Sequence, residues 1–199
     1  MDRITLVTGG SRGIGAATAR LCAAEGHSVA VNYCNDAEAA ASVCTAVEAA
    51  GARAFPVRAD TGNEDDILAM FAAVDRELGP VTGLVNNAGI HGPRGRLDAL
   101  GAGDIARVFD VNVSGYFLCA REAVRRMSTR HGGNGGAIVN VSSGSAKLGG
   151  PNEGVLYAAS KGAVNSLTIG LSQEVAREGI RVNTVAPGLT ETDMPPADK

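Results

Sequence analysis

The sequence predicts an α/β protein in which a doubly wound parallel sheet is covered by helices on both faces. Two observations predict it. Short β-branched apolar runs alternate along the chain with longer amphipathic stretches, and this alternation is typical of βαβ units. The apolar runs are nearly continuous, as expected for strands that are buried on both faces of a sheet. No linker or internal repeat interrupts the pattern, so residues 1–199 are predicted to form a single domain.

The first half of the chain supplies three strand–helix units and a fourth strand. Each strand is a short run rich in β-branched or apolar residues, and glycines end the helices. The predicted strands are Ile4–Val7, Ser28–Asn32, Arg53–Arg58 and Gly83–Asn86. The predicted helices are Gly13–Glu25 before Gly26, a helix with Asn35 as a possible N-cap and Gly51 at its end, and Glu64–Leu78 before Gly79-Pro80.

The second half continues the alternation with longer helices. A helical stretch from about Asp104 to Arg130 precedes the strand Ala137–Val141, and the helix Leu156–Arg177 precedes the strand Arg181–Val185. The glycine-rich segment 131–136 is too short to separate domains and is predicted to be a turn. Six strands are therefore expected in one sheet.

Composition argues against several kinds of partner. The formal net charge is -3 and the chain has no long basic block, so neither nucleic acid nor an anionic membrane is expected to bind. No run of ~18 apolar residues and no N-terminal apolar leader is present, which predicts a soluble, cytoplasmic protein. The 4 cysteines show no CxxC spacing, and the 3 histidines are scattered beside glycines. Reduced thiols and no metal site are therefore expected.

The turn Thr8–Gly15 follows the first strand and opens the first helix. Glycines let backbone N–H groups approach a pyrophosphate, which the positive end of the helix dipole also favours. The spacing of Gly9, Gly13 and Gly15 is not the GxGxxG fingerprint, and an ordinary tight turn could have the same sequence. Its position after the first strand nevertheless favours dinucleotide binding.

Polar residues end two further strands. Asn86–Gly89 follows the fourth strand, where the alternatives are a common Asn-Gly turn and a strand end that faces a ligand at the carboxyl edge of the sheet. Ser142 and Ser143 end the fifth strand, where a serine is usually a cap or turn residue. A functional role for either serine depends on Tyr157 lying opposite, across the crevice.

Tyr157 and Lys161 are four residues apart in a predicted helix, so both side chains leave the same face. Many helices carry this pair without any function. A phenol beside an ammonium is nevertheless suited to acid–base chemistry, because the positive charge favours phenolate and is expected to lower the pKa of Tyr157.

With these motifs in this order, the chain resembles the classical short-chain dehydrogenase/reductase family. The match rests on Thr8–Gly15, Asn86–Gly89, the set Ser143, Tyr157 and Lys161, and Pro187-Gly188. The resemblance implies a Rossmann-like fold and an NAD(P)(H)-dependent oxidoreductase that transfers hydride between nicotinamide and a carbonyl or alcohol substrate, as 3-oxoacyl reductases and sugar or alcohol dehydrogenases do. It also implies a homotetramer. The alternative is a non-catalytic dinucleotide-binding fragment or regulatory protein of the same fold.

The resemblance also implies the catalytic residues. Ser143 would donate a hydrogen bond to the substrate oxygen, and Tyr157 would give or take the proton. Lys161 would lower the pKa of Tyr157 and bind the nicotinamide ribose, while Asn112 would hold a water that links Lys161 to solvent. Ser142 is the alternative serine, because the segment from Ser143 to Tyr157 is about one residue longer than the usual family spacing.

Cofactor choice is expected to depend on the end of the second strand. No carboxylate at Asn32 or Tyr33 would repel a 2′-phosphate, and Arg12 could pair with it. NADP(H) is therefore predicted to be preferred, with NAD(H) possible. Asp60 is expected at the adenine edge and Thr192 at the carboxamide, with Thr190 a weaker candidate.

The implied cofactor contacts are Gly9, Ser11, Arg12, Gly13, Ile14, Gly15, Asn32, Tyr33, Asp60, Asn87, Ala88, Gly89, Pro187, Gly188 and Thr192, together with Tyr157 and Lys161. The sequence given ends at Lys199, and the family's substrate helices, last core helix and seventh strand do not appear in it. The expected fold is therefore the family's sheet without its C-terminal strand and helices.

Overall fold

The computed structural model describes residues 3–192, and these contain the predicted six-stranded parallel sheet. The strands run in the order β3-β2-β1-β4-β5-β6. They are β1 Ile4–Val7, β2 Ser28–Tyr33, β3 Ala54–Arg58, β4 Gly83–Asn86, β5 Gly136–Val141 and β6 Ile180–Val185. Because β1 pairs in parallel with both β2 and β4, the strand order reverses beside β1. A crevice opens at such a point at the carboxyl edge of the sheet.

Seven α-helices connect the strands or flank the crevice in the described residues. They are α1 Gly13–Ala24, α2 Ala37–Ala49, α3 Glu64–Glu77, α4 Ala102–Phe109, α5 Gly115–Met127, α6 Ser145–Leu148 and α7 Val155–Glu174. Each predicted strand agrees with the structure to within one residue at either end, and most helix ends agree to within one or two.

Two details of the helices differ from the sequence-based expectation. The N-cap of α2 is Asp36 rather than Asn35, because the Asp36 carboxylate accepts from the backbone N–H of Ala39 at 2.9 Å. The long stretch predicted from Asp104 to Arg130 is not a uniform helix. A π-helical turn at Asp110–Ser114 joins α4 to α5.

The sheet separates two apolar cores. Helices α1 and α2 cover one face, where side chains such as Ala19 and Val43 pack on Val29 and Val31. Helices α3 and α5 cover the other face, where Phe71 and Met127 are among the large buried side chains. Alternate residues of β1 point to opposite cores. This two-sided burial explains why its sequence is apolar throughout.

An ion-pair cluster joins α3 to α5 at the edge of the second core. The buried carboxylate of Glu122 accepts from Arg125 at 2.7 Å and from Arg126 at 3.0 Å, and Arg126 also pairs with Asp75 of α3 at 2.7 Å. Burial raises the pKa of Glu122, but the hydrogen bonds from Arg126 and Arg121 and the charge of Arg125 outweigh it and hold the pKa of that carboxyl below its usual range. The cluster fixes α5 relative to α3.

No helix within residues 3–192 combines the length and apolar character needed to cross a bilayer. The same residues contain no group of three or more His, Cys, Asp or Glu side chains arranged to hold a metal ion.

Candidate active site

The glycine turn after β1 is built so closely that side chains cannot replace its glycines. Gly9 and Gly13 have positive φ angles of 60° and 52°, a conformation that favours glycine. A Cβ on Gly15 would overlap the carbonyl oxygen of Gly9 and lie 2.6 Å from Nδ2 of Asn87. The turn therefore brings its backbone unusually close to the neighbouring strand end.

The N-terminus of α1, which follows this turn, suits an anion. Its N-cap is Arg12, whose side chain makes no capping hydrogen bond, and its first turn carries no acidic residue. The N-cap side chain thus supplies no acceptor to the first N–H groups of α1. Backbone N–H groups at a helix start and the helix dipole together favour a phosphate. Gly13, Ile14 and the half-buried Ser11 lie in this turn, so the residues present fit the pyrophosphate of a dinucleotide.

Two asparagine amides hold the glycine turn in place. Asn32, only 1% exposed, accepts from the backbone N–H of Gly9 at 3.1 Å and donates to the carbonyl of Ala59 at 3.1 Å. Asn87 donates to the carbonyls of Thr8 and Gly9 at 2.9 and 3.0 Å. Both amides are therefore bonded within the protein, and they fix the backbone of the glycine turn.

Tyr33, the last residue of β2, is half-buried, and Arg12 in the glycine turn is exposed. Arg58 donates to the carbonyl of Cys34 at 3.2 Å, which places a guanidinium next to the end of β2. The Asp60 carboxylate accepts from Arg107 at 2.9 Å and from the backbone N–H of Gly62 at 2.9 Å.

The two serines that end β5 have different surroundings. The buried Ser142 hydroxyl donates to the carbonyl of Lys161 at 3.1 Å and so ties β5 to α7. The half-buried Ser143 hydroxyl accepts from the backbone N–H of Ser145 at 3.1 Å and lies near enough to the Tyr157 phenol to act against the rise of its pKa. Of the two candidates, Ser143 is the serine beside the phenol.

The pKa of Tyr157 differs in direction from the sequence-based expectation. Burial raises the pKa of the phenol, and the nearby Ser143 hydroxyl only partly offsets this. The expectation that Lys161 lowers this pKa is wrong for the cofactor-free protein, because the ammonium lies 5.8 Å from the centroid of the Tyr157 ring and contacts other groups.

Lys161 is 3% exposed, and burial lowers its pKa to about 7. Its ammonium donates to the carbonyl of Val141 at 2.7 Å and to the Tyr116 hydroxyl at 3.0 Å. A Cβ on Gly89 would lie 3.5 Å from this ammonium. The strand end Asn87–Gly89 therefore forms the wall opposite Lys161.

Asn112 lies in the π-helical turn and is fully buried. Its amide donates to the Ile90 carbonyl at 2.8 Å and to the Ser160 hydroxyl at 3.0 Å, and accepts from the Ile90 N–H at 2.9 Å. The side chain thus links the loop after β4 to α7. The predicted water-holding role stays a prediction.

The segment after β6 returns to the crevice. The Pro187 carbonyl accepts from the Gly144 N–H at 2.9 Å, which joins this segment to the end of β5. A Cβ on Gly13 would lie 3.3 Å from the Thr192 side chain, so Thr192 faces the glycine turn across the crevice. Thr190 is exposed and bonds the Gly188 carbonyl at 3.2 Å.

Two further residues contact the predicted catalytic side chains. The loop residue His91 stacks its ring on the Tyr157 ring with centroids 5.0 Å apart and an interplanar angle of 17°. Tyr116 contacts Lys161 from α5. The loop around His91 has no periodic pattern that would reveal this contact. For Tyr116 the available signal was its position four residues after Asn112 in a helical stretch.

Comparison with known proteins agrees with this geometry. A family model described as short chain dehydrogenase matches residues 3–198. The chain belongs to the short-chain dehydrogenase family. The uncharacterized oxidoreductase YgfF of Escherichia coli (strain K12) is 55% identical over 191 residues, 96% of this chain and 77% of that protein. Cis-4-hydroxycyclohexanecarboxylate dehydrogenase of Sinomonas cyclohexanicum is 40% identical over 193 residues, 97% of this chain and 75% of that protein.

Solved short-chain dehydrogenases have the same architecture. A Burkholderia cenocepacia J2315 enzyme in complex with NADP is 40% identical, with a TM-score of 0.89 over 100% of this chain and 78% of that chain. This short-chain dehydrogenase is therefore an oxidoreductase that transfers hydride between a nicotinamide cofactor and a carbonyl or alcohol group.

The buried lysine of this short-chain dehydrogenase should give its stability a distinct pH dependence. Unfolded lysine titrates near 10.4, whereas the folded pKa of Lys161 is about 7. Between these two pH values the unfolded chain binds more protons than the folded protein does. Burying the charged lysine therefore destabilises the fold fully below about pH 7, and this destabilisation decreases as the pH rises towards 10. We expect Lys161→Met to be more stable than the wild type at pH 6, by a margin that shrinks by pH 9.

Urea unfolding of the cofactor-free proteins at several pH values would measure that margin. In the difference between the wild type and Lys161→Met, the contributions of all other titrating groups cancel. A margin that stayed constant from pH 6 to pH 9 would contradict the lowered pKa.

Proposed function

We propose that this short-chain dehydrogenase is an NADP-preferring enzyme that uses Ser143, Tyr157 and Lys161 to interconvert a small carbonyl compound and its alcohol. The observation that carries the proposal is the position of Ser143 beside the Tyr157 phenol, where its hydroxyl acts against the rise of the phenol's pKa, at the same sheet edge as the start of α1, whose N-cap side chain makes no capping hydrogen bond. A bound nicotinamide would supply or accept the hydride.

The protein's own residues would handle the proton and the developing charge. Because burial raises the pKa of Tyr157, the phenol keeps its proton at neutral pH and can donate it to a carbonyl oxygen during reduction. Ser143 would donate a hydrogen bond to the same oxygen. Lys161 would donate its remaining N–H to a hydroxyl of the bound ribose. Its positive charge would then stabilise the Tyr157 phenolate.

Preference for NADP is supported by the charges around the end of β2. The side chains there are Asn32, Tyr33 and Cys34, none of them acidic, and the Arg58 guanidinium donates to the Cys34 carbonyl, while the exposed Arg12 belongs to the glycine turn. A 2′-phosphate would gain ion pairs with these groups. Among solved relatives, one structure contains NADP, another contains NADPH and a xylitol dehydrogenase structure contains NAD+, so the preference is our proposal for this chain.

Steady-state kinetics with NADPH and NADH on a panel of aldehydes, ketones and sugars tests the proposal. We expect a higher kcat/KM with NADPH, and Arg12→Ala should reduce that preference about tenfold, the effect of losing one charge-assisted contact. Arg20→Ala, which removes an exposed arginine from the same helix, is the matched control and should leave the preference unchanged.

A clear preference for NADH in the wild type would overturn the NADP proposal alone. A folded protein that binds NADPH and turns over nothing on the panel would favour the non-catalytic alternative.

Self-association is supported by the outer face of α5 and α7. A groove between these helices is lined by Val124, Leu167 and Leu171, and Phe117 and Ile169 beside it are 51% and 61% exposed. Exposed apolar surface of this kind marks interfaces. We propose a homotetramer that buries this face, and light scattering would measure its mass.

The free state of all 4 cysteines supports a cytoplasmic location.

A further inference from the structure

The ammonium of Lys161 is held by two oxygens from outside its own helix. One is the Val141 carbonyl of β5 at 2.7 Å, and the other is the Tyr116 hydroxyl of α5 at 3.0 Å. The ammonium also lies 4.8 Å from the centroid of the Tyr116 ring, within the range of a cation–π interaction. Tyr116 thus contacts the lysine through both its hydroxyl and its ring.

The hydrogen-bond roles in this cluster are fixed by what each group can donate. The Tyr116 hydroxyl donates to the Val141 carbonyl at 3.0 Å, so it can only accept from Lys161. Two of the three N–H donors of the ammonium are then used within the protein. One donor remains for a ligand or water in the crevice.

Tyr116 itself has little freedom to move. It is 2% exposed, and its backbone carbonyl accepts from the Asn86 amide at 3.2 Å. The preceding Gly115 packs against the Thr61 carbonyl so closely that a Cβ there would overlap it. The start of α5 is therefore held against both β4 and the loop after β3, and this fixes the Tyr116 hydroxyl.

Within residues 3–192, the groups recorded around the ammonium are neutral oxygens, amides or phenols. They are Tyr157 on its own helix, Tyr116 from α5, the Val141 carbonyl from β5, and Asn112 beyond Gly89. With no carboxylate among these groups, the two hydrogen-bond acceptors are what stabilises the charged form of Lys161 against burial.

We propose that Tyr116 is a positioning residue, which orients the Lys161 ammonium and keeps it protonated so that its third N–H donor serves the cofactor. This inference rests on the role proposed for Lys161 above. It adds a second tyrosine to the site, one that acts through the lysine and never touches the substrate.

Lysine NMR in the cofactor-free protein tests the proposal without any turnover. The chain has three lysines, Lys147, Lys161 and Lys199, and a Lys161→Met spectrum assigns the relevant ¹³C signal. We expect Tyr116→Phe to lower the pKa of Lys161 by about one unit or more, because the charged form loses one of its two acceptors while remaining buried. A loosened core would instead admit water and raise this pKa towards 10.4.

Thr168→Val is the matched control, since it removes another buried hydroxyl that bonds Asn140 at 2.9 Å in the same core. It should leave the Lys161 signal unchanged. A pKa that stayed constant or rose in folded Tyr116→Phe would overturn the proposal. If that variant failed to fold, 3-fluorotyrosine placed at position 116 would weaken the acceptor at nearly constant size, and an unchanged pKa there would also overturn it. Because no cofactor or substrate is used, failure of the proposed function would leave this result intact.

Discussion

Tyr157→Phe is expected to lower kcat by about 10²–10⁴-fold while leaving NADPH binding nearly unchanged. The substitution removes the proton that the phenol would donate, and a positioned acid of this kind contributes a factor of that size. The ring that stacks on His91 is kept, so the crevice should retain its shape. Steady-state kinetics with the best substrate of the panel would measure kcat, and fluorescence titration would measure the Kd for NADPH.

Tyr33→Phe provides the comparison for this experiment, because it removes the hydroxyl of a half-buried tyrosine at the other end of the crevice. We expect its kcat to stay close to the wild-type value. Near-normal turnover in Tyr157→Phe would show that the proton comes from another group, and the stacked His91 would then be the first candidate to substitute.

Gly15→Ala is expected to weaken cofactor binding on the order of 100-fold, as displacements of about 1 Å in a binding turn can do. The added methyl group would meet the backbone oxygen of Gly9 and the amide of Asn87. Neither can retreat easily, because the Asn87 amide is itself bonded to the carbonyls of Thr8 and Gly9. We also expect a loss of about 1–3 kcal/mol in the free energy of unfolding, typical of overpacking.

Gly103→Ala is the matched substitution, since Gly103 lies in α4 and a Cβ there would meet nothing within 4 Å. It should leave the Kd for NADPH unchanged and stabilise the fold by up to about 1 kcal/mol through helix propensity. Calorimetry and cofactor titration on both variants would separate the two effects. Equal Kd values for Gly15→Ala and the wild type would mean that the turn is not where the phosphates bind.

Strand positions could be predicted closely from the sequence because the parallel sheet is buried on both faces. Side chains on both faces of these strands are buried, so runs such as Ile4–Val7 and Gly83–Asn86 are mostly apolar. Their first and last residues can therefore be predicted from the sequence alone. The junction of α4 and α5 was not predictable in the same way. A π-helical turn leaves the residue types helical and alters only the hydrogen-bond register.

Site residues on strand ends and on one helix were also predictable, and the structure brings Ser143, Tyr157 and Lys161 to one edge of the sheet. The direction of the Tyr157 pKa was not predictable. Sequence spacing places a positive charge four residues away, but the direction of the ammonium depends on Tyr116 and Val141. The cost of burying the phenol likewise depends on tertiary packing.

Asn32 has a second role that the sequence did not predict. Its predicted contact with the cofactor stays a prediction, but its amide is bonded to Gly9 and Ala59 and so holds the glycine turn. The residue type is compatible with both roles, and only the direction of the side chain reveals the structural one.

The π-helical turn at Asp110–Ser114 makes the site sensitive to chain length as well as to residue identity. Such a turn contains one residue more than the α-helix would need. Deleting that residue would rotate everything after it by about 100° relative to α4, which would swing Tyr116 away from Lys161. Homologous enzymes that keep this pairing should therefore tolerate substitutions at the exposed Asp110 and Ser114 positions far better than a one-residue deletion.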